Sequence, residues 1–441
     1  MSTLALLGGP PAVTSEHEDM FHWPIVTSED EQAVLEVLRK GSMSSWDITM
    51  EFEREFAAWQ GAKYALAHST GTGAIHAALY GCHVGVGDEV LCPTITYWAS
   101  ALPCYSLGAT PVFVESHPET FCIDPTDIEH RITPRTKALV VVHLYGYPCD
   151  MDPIMEIARR RGVKVIEDVS HAQGSLYHGR KCGMLGDVGA MSLMTGKSLA
   201  IGEAGILVTD DREIYDRALA FGHYERYDDA HIETNYLQPG AGLPLGGYKY
   251  RMHQMSSAVG RVQLRHYDER RAEIDRAMNY FWDALEGQPG LRAHRPPAGS
   301  GTTMGGWYAA QGEYVSEELE GLSVTRFTEA LRAEGCPWCG AGGNKPLHLH
   351  PLLNTTDVYG HGKPTRIANA GRDLRQPAGS LPMSEAIAAR TFGIPWFKHY
   401  QPEVIDEYVG AFKKVIANYR DLLPGDPGNP EGLGNWHLSR L

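Results

Sequence analysis

The stretches ALVVVHLYG (138–146) and VKVIEDVSHAQG (163–174) decide the fold. Each opens as a run dominated by Val, Ile and Leu instead of a strict apolar/polar alternation, the pattern of a strand buried on both faces. Between them Met155 to Arg161 has helical spacing, so the unit predicts strand, crossover helix and parallel strand. Working outward, YALAHS (64–69), EVLCP (89–93) and TPVFVE (110–115) are runs of the same kind, and AIHAALYG (74–81) predicts a helix from about Ala74. The whole predicts an α/β fold with a largely parallel sheet covered by helices on both faces.

Upstream, Asp30 to Arg39 predicts a helix with Ser28 as N-cap and Val34, Leu35 and Leu38 on one face, and Glu51 to Trp59 repeats the pattern. Downstream, a charged helix from Asp268 to Leu285 leads into the Gly/Pro cluster PPAGSGTTMGG (296–306), then helices over Thr325 to Glu334 and Pro402 to Leu422. The chain therefore divides into an N-terminal arm (1–27), a large domain (28–268), a smaller C-terminal α+β domain (269–424) and a Pro/Gly-rich tail (425–441), extended or disordered.

Bulk properties narrow the function classes. Over 441 residues, 54 Asp and Glu outweigh 39 Lys and Arg, for a net charge of -15 that argues against a nucleic-acid partner. No apolar run reaches the ~18 residues of a membrane span, so a cytoplasmic, non-membrane protein is expected. Eight cysteines are too sparse for a disulfide scaffold. Cys336 and Cys339 form a C-x-x-C, a spacing used by zinc ribbons and redox dithiols. It lacks a second pair, and reads as two loop cysteines; no metal site is expected.

Four features at predicted strand ends can carry chemistry, since open α/β sheets place ligands there. Ser69 to Gly73 is a Gly/Thr turn opening a helix, which offers amides and hydroxyls to a phosphate but is common in strand-to-helix turns. Glu167-Asp168 is an acidic pair, suited to a helix cap, a metal or a protonated pyridine nitrogen. Lys197, in SLMTGK (192–197), is either a solvated lysine or an imine-forming nucleophile. Tyr97-Trp98 is core packing or a platform for a planar ring.

The order phosphate turn, aromatic, acid, lysine is that of an enzyme built around pyridoxal phosphate. The motifs STGTGAIHAAL (69–79), PTITYWASALP (93–103), GATPVFVE (108–115), HLYGYPCDMD (143–152), EDVSHAQG (167–174), SLMTGKSLAIGEAG (192–205) and GGYKYRMHQMSSAVGRVQL (246–264) resemble the DegT/DnrJ/StrS aminotransferases, from about Trp23 to Leu422. The resemblance implies a fold type I transferase with a seven-stranded-type sheet. It further implies Lys197 as the Schiff-base lysine, Asp168 beside the pyridine nitrogen, Tyr97 stacked on the ring and His171 beside its 3-hydroxyl. Thr70, Gly71, Thr72 and Ser192 would hold the phosphate. Lys249 stands where the family has an Asn that reaches the phosphate from a neighbouring subunit, implying a homodimer with shared sites. His171 replaces the usual Gln, and Ala204 the usual Gly of a Gly-Glu-Gly-Gly run.

By the same resemblance an amino acid, glutamine or glutamate, gives its nitrogen to a keto-cyclitol or keto-sugar in an antibiotic-type pathway. LALLGGPPA (4–12) and EGLSVTRFTEALRAEGCP (320–337) are more similar to the cyclitol branch than to the alternative nucleotide-sugar branch. His348 falls where the family has a pocket-facing histidine; a loop histidine satisfied by backbone is the other reading. A sugar dehydratase of this family replaces the lysine with histidine, and a non-catalytic regulator would have no need of Lys197, Asp168 and Ser192 together.

Overall fold

The computed structural model describes residues 3–15, 17–228 and 230–436. Its main sheet contains β1 (Tyr64–His68), β2 (Glu89–Pro93), β3 (Thr110–Val114), β4 (Thr136–Val142), β5 (Lys164–Asp168), β6 (Val188–Ser192) and β7 (Gly205–Thr209), in the spatial order β1-β7-β6-β5-β4-β2-β3. Pairing is parallel from β6 across to β3. β7 runs antiparallel to both β6 and β1. The five predicted strands are all present, and β2 and β3 are buried along their whole length, as expected of a sheet covered on both faces.

Helix starts differ from expectation for local reasons. The first long helix, α1 (Ser28–Lys40), is capped by Thr27, not Ser28: Thr27 forms a capping box with Asp30. Asp30 and Val37 face inward, whereas Leu35 and Leu38 are 40% and 45% exposed, so the predicted apolar face lies open on the single chain. α2 (Asp47–Gln60) begins four residues before its predicted start, and α3 (Gly71–Gly81) takes in the Gly/Thr turn itself. The crossover helix α4 spans Met151–Arg161, and α5 spans Arg212–Gly222.

The largest departure is α6 (Gln254–Ala284), 31 residues long, which absorbs most of the second half of the last quoted motif. Its early part buries Ala258, Val262 and Leu264, and Gly260 lies where a Cβ would come within 2.9 Å of Phe52. Small residues at that crossing hid the helix, because they weaken the apolar stripe while permitting close packing. A first hydrophobic core holds residues from Phe52 to Tyr267, and a second holds Ile274 to Leu422, so α6 passes from one to the other. Leu4, Val13 and Met20 pack in the second core. Leu347, Leu353, Leu374, Leu381 and Ile387, which the sequence placed in the second domain, pack in the first.

The second core is built on a small antiparallel sheet of β8 (Leu291–Ala293), β9 (Gln311–Tyr314) and β10 (Thr391–Gly393) with α7 (Val324–Ala333), α8 (Pro382–Arg390) and α9 (Pro402–Ala417) nearby. The predicted tail returns to the body: Asn435 pairs with Gly343 and Lys345, and the Trp436 indole donates to the Pro346 carbonyl at 3.1 Å. Residues 437–441 of that tail lie outside the described residues. Cys336 and Cys339 are both buried. Among the described residues no helix is long and apolar enough to cross a membrane.

Asp30 ties α1 to α6: its carboxylate accepts from the Thr27 amide and hydroxyl, both at 2.9 Å, and from the Gln263 side chain at 2.8 Å. Asp30→Ala removes a cap and leaves a buried amide without its acceptor. A loss of about 2 kcal/mol is expected, read as a lower urea midpoint.

Candidate active site

Strand alternation sends the two neighbouring carboxylates of β5 to opposite sides of the sheet. Glu167, fully buried, accepts hydrogen bonds from the amides of Gly183, Leu185 and Gly186 at 2.6–2.7 Å and pairs with His143 Nε2 at 2.9 Å. It anchors the 183–186 turn. Asp168 ends the strand on the other face, 4% exposed, and accepts from the Ser100 hydroxyl at 2.7 Å and the Ser170 amide at 3.0 Å. Of the acidic pair, only Asp168 faces the candidate site.

Lys197 follows β6 in a turn closed by its own amide to the Met194 carbonyl at 2.8 Å. The side chain is 5% exposed, with its ammonium 4.0 Å from the centre of the Tyr308 ring. Burial pushes the amine down from 10.5 to about 8, while the negative charge of Asp168 pulls it up. His171 is also buried, and both its burial and the Lys197 charge hold it well below its ordinary value, so the ring is neutral. The Tyr145 amide donates to its Nδ1 at 3.2 Å. The remaining ring proton is therefore on Nε2, which makes that atom a donor.

The Gly/Thr turn is brought against the end of β6. Thr70 caps α3, its hydroxyl accepting from the Gly73 amide at 3.0 Å. A Cβ on Gly71 would lie 2.5 Å from Ser192 Cβ, and one on Gly205 would lie 2.3 Å from the Thr70 carbonyl oxygen. Glycine is needed at both positions for the turn to reach Ser192. The Gly71 and Thr72 amides belong to the first turn of an 11-residue helix, where they have no preceding carbonyl to bind. Tyr97 is half-buried, its ring 4.8 Å from that of Trp98.

Two expected residues stand apart. Lys249 is exposed and lies 5.7 Å from the Tyr224 ring, although the next residue, Tyr250, accepts the Ser69 amide through its carbonyl. His348 is not pocket-facing. It is fully buried, with Nδ1 at 2.8 Å from the Thr94 hydroxyl and Nε2 at 3.1 Å from Glu385. Both ring nitrogens are occupied in holding the 347–349 turn to the residue after β2 and to α8.

The family model described as the DegT/DnrJ/EryC1/StrS aminotransferase family matches residues 24–413. The chain belongs to this family of pyridoxal phosphate-dependent, fold type I aminotransferases. Among its relatives is the GDP-perosamine synthase of Caulobacter vibrioides, 37% identical over 74% of this chain and 85% of that one. The L-glutamine:scyllo-inosose aminotransferase of Streptomyces griseus is 32% identical over 96% of this chain and 99% of that one. The solved aminotransferase from Psychrobacter cryohalolentis superposes with a TM-score of 0.80 at 29% identity, covering 91% of this chain and all of the other.

Sequence reasoning missed two residues of this aminotransferase's candidate site, the partners of Asp168 and Lys197. Ser100 lies inside a quoted motif, in the 3-10 turn Trp98–Ser100, but no spacing rule marks a serine as the donor to a carboxylate at a strand end 68 residues away. Tyr308 comes from a remote segment, flanked by Trp307 (φ 55°) and Ala309 (φ 53°), two side chains in the left-handed region. Such conformations persist only where the surroundings enforce them.

The division of labour on β5 is testable. Glu167→Gln removes a buried charge that four donors surround and is expected to cost about 2–3 kcal/mol in urea unfolding, with activity per folded molecule retained. Asp168→Asn is expected to do the reverse, holding stability within about 1 kcal/mol while lowering turnover by at least about a hundredfold.

Proposed function

We propose that the chain binds pyridoxal phosphate at this site and moves an amino group from L-glutamine or L-glutamate to a keto-cyclitol or keto-sugar in an antibiotic-type pathway. The observation that carries the cofactor is the convergence of a desolvated lysine amine, a buried carboxylate with spare lone pairs and a glycine-lined helix start at the same strand ends. When bound, the cofactor supplies an aldehyde that captures amines and a protonated ring that takes up electrons as a bond to the α-carbon breaks.

The chain's own residues have separate tasks in this reading. The turn at Thr70, Gly71 and Thr72, with Ser192, binds the phosphate, and Tyr97 supplies a ring for stacking. Asp168, oriented by Ser100 and the Ser170 amide, holds the proton on the pyridine nitrogen. His171 directs Nε2–H at the ring oxygen. Lys197, largely neutral above about pH 8, is nucleophile and then proton carrier at its Nζ.

The cyclitol acceptor is favoured by the end-to-end match to the scyllo-inosose aminotransferase. A nucleotide-sugar acceptor is the second reading, favoured by the higher identity to GDP-perosamine synthase over a shorter span. The reading includes small-molecule partners, no nucleic acid or membrane, and a cytoplasmic setting suited to eight free cysteines.

A direct test is absorbance of the protein with added pyridoxal phosphate, followed by single-turnover bleaching with glutamine or glutamate and recovery with keto-cyclitols or nucleotide keto-sugars. Capture of the cofactor by the apoprotein is expected to accelerate as pH rises through about 8, because the neutral amine attacks. Lys197→Ala should give no covalent adduct and no turnover. A wild-type rate in that variant, with the adduct on another lysine, would falsify the assignment.

The working unit in this reading is a homodimer in which Lys249 serves the partner's site. Support comes from the exposed Leu35, Leu38, Met43 and Trp46 on and after α1, and from Leu243 and Leu245 just before Lys249, which a second copy would cover. The phosphate also needs a cation that its own turn lacks. In a heterodimer of a Lys197→Ala subunit with a Lys249→Ala subunit, one site carries both lesions and the other none. Activity should rise above either parent, toward roughly half of wild type; no recovery in a verified heterodimer, with Lys249→Ala alone impaired, removes Lys249 from the partner's site.

A further inference from the structure

Trp23 stands one residue before the span matched by the family model. Its indole N–H donates to the backbone carbonyl of Lys197 at 2.8 Å. The lysine turn is otherwise held from the first core: the Lys197 amide closes on Met194, and the Ser198 hydroxyl bonds to Gln173 and Tyr267 at 2.8 and 2.9 Å. Trp23 belongs to the other side. The segment before it packs on the second core, with Phe21 between Phe397 and Tyr408 at ring distances of 5.7 and 5.6 Å. The Met20 carbonyl accepts from the Lys398 amide at 3.0 Å. Trp23 itself rests 6.1 Å from Trp396, whose indole donates to the Gly306 carbonyl at 3.0 Å and whose ring lies edge-on to Tyr308.

The second core therefore grips Lys197 at two points. Tyr308, from a segment that buries Met304, Trp307 and Ala310 in that core, faces the amine, and Trp23 holds the carbonyl. We infer that Trp23 is a positioning residue for Lys197: its N–H fixes the backbone from which the lysine projects, and so keeps the amine in its dry position over Tyr308. An N–H donor to the carbonyl adds nothing to the chemistry of the amine itself. Without it the turn can rotate about its remaining anchors, and a four-carbon side chain turns a small backbone rotation into a displacement of Nζ toward water. The N-terminal segment is on this account part of the active site, although it contributes no group that touches a substrate.

The inference rests on the reading of Lys197 as the cofactor lysine, and the test separates the two. Full-length apoprotein is treated with acetic anhydride over a range of pH, the rate of modification at Lys197 is followed by peptide mass spectrometry, and the loaded enzyme is titrated by absorbance and assayed. Trp23→Phe keeps an aromatic ring against Trp396 and removes the donor, with some loss of ring volume. It should shift the Lys197 midpoint upward by at least about half a unit and lower kcat about tenfold, with KM for the amino donor changed less than about twofold. Trp23→His, which restores a ring N–H, should recover part of both losses. Phe21→Leu, which loosens the same segment but keeps the N–H donor, should shift the midpoint less than Trp23→Phe does. An unchanged midpoint and kcat in Trp23→Phe, or an equal shift in Phe21→Leu, overturns the clamp. If the cofactor adduct maps to a different lysine, the reading of Lys197 fails instead.

Discussion

The withdrawal of one amine from water is the constraint on which the rest of this structure depends. A lysine that stays solvated is a poor nucleophile at neutral pH, and burying it shifts its balance toward the neutral form. The fold bears a cost for this. A pKa of about 8 against 10.5 corresponds to about 3 kcal/mol of lost stability. The sign follows from proton counts: between these values the unfolded chain binds more protons than the folded one. The penalty is complete below about pH 8 and fades as pH rises toward 10.5. The surrounding sheet, in which β2, β3 and most of β4, β5 and β6 are buried, provides the stability that such a site draws on.

Close packing gives the other half of the arrangement. The glycines at 71 and 205 bring the start of α3 to within contact of β6, so a helix terminus with free amides and a strand end with a hydroxyl meet side by side. The carboxylate of Asp168 enters the same space through strand parity. Its neighbour Glu167, which bears the same functional group one methylene further out, is committed to the opposite face, where backbone amides use up its lone pairs. Two acids adjacent in sequence thus differ in availability, and that difference is set by the two-residue period of the strand.

Much of this was legible in the sequence. Continuous apolar runs announced the parallel part of the sheet, and the quoted motifs placed Lys197, Asp168, His171 and the Gly/Thr turn, which the fold brings together. Antiparallel β7 was not legible, since its residues look like those of any buried strand. The early half of α6 was hidden by Ser, Ala and Gly, which suit a tight helix crossing but dilute the periodic signal. His348 was left between two readings because a histidine that satisfies two buried partners and one that faces a substrate share the same letter; only Thr94 and Glu385, from remote segments, show which partners it has. Tyr308 and Ser100 illustrate the same limit: their partners are fixed by tertiary contact, not by local spacing.

The single helix that runs through both cores has a mechanical meaning. At 31 residues α6 is a rod of about 46 Å, with hydrogen-bonded backbone where a jointed molecule would have a loose connector. Bending or fraying in one half is transmitted to the other along the rod. The halves of this protein should accordingly melt together as one cooperative body, and relative motion between them should be a flexing of that rod by a few degrees instead of a swing about a free joint.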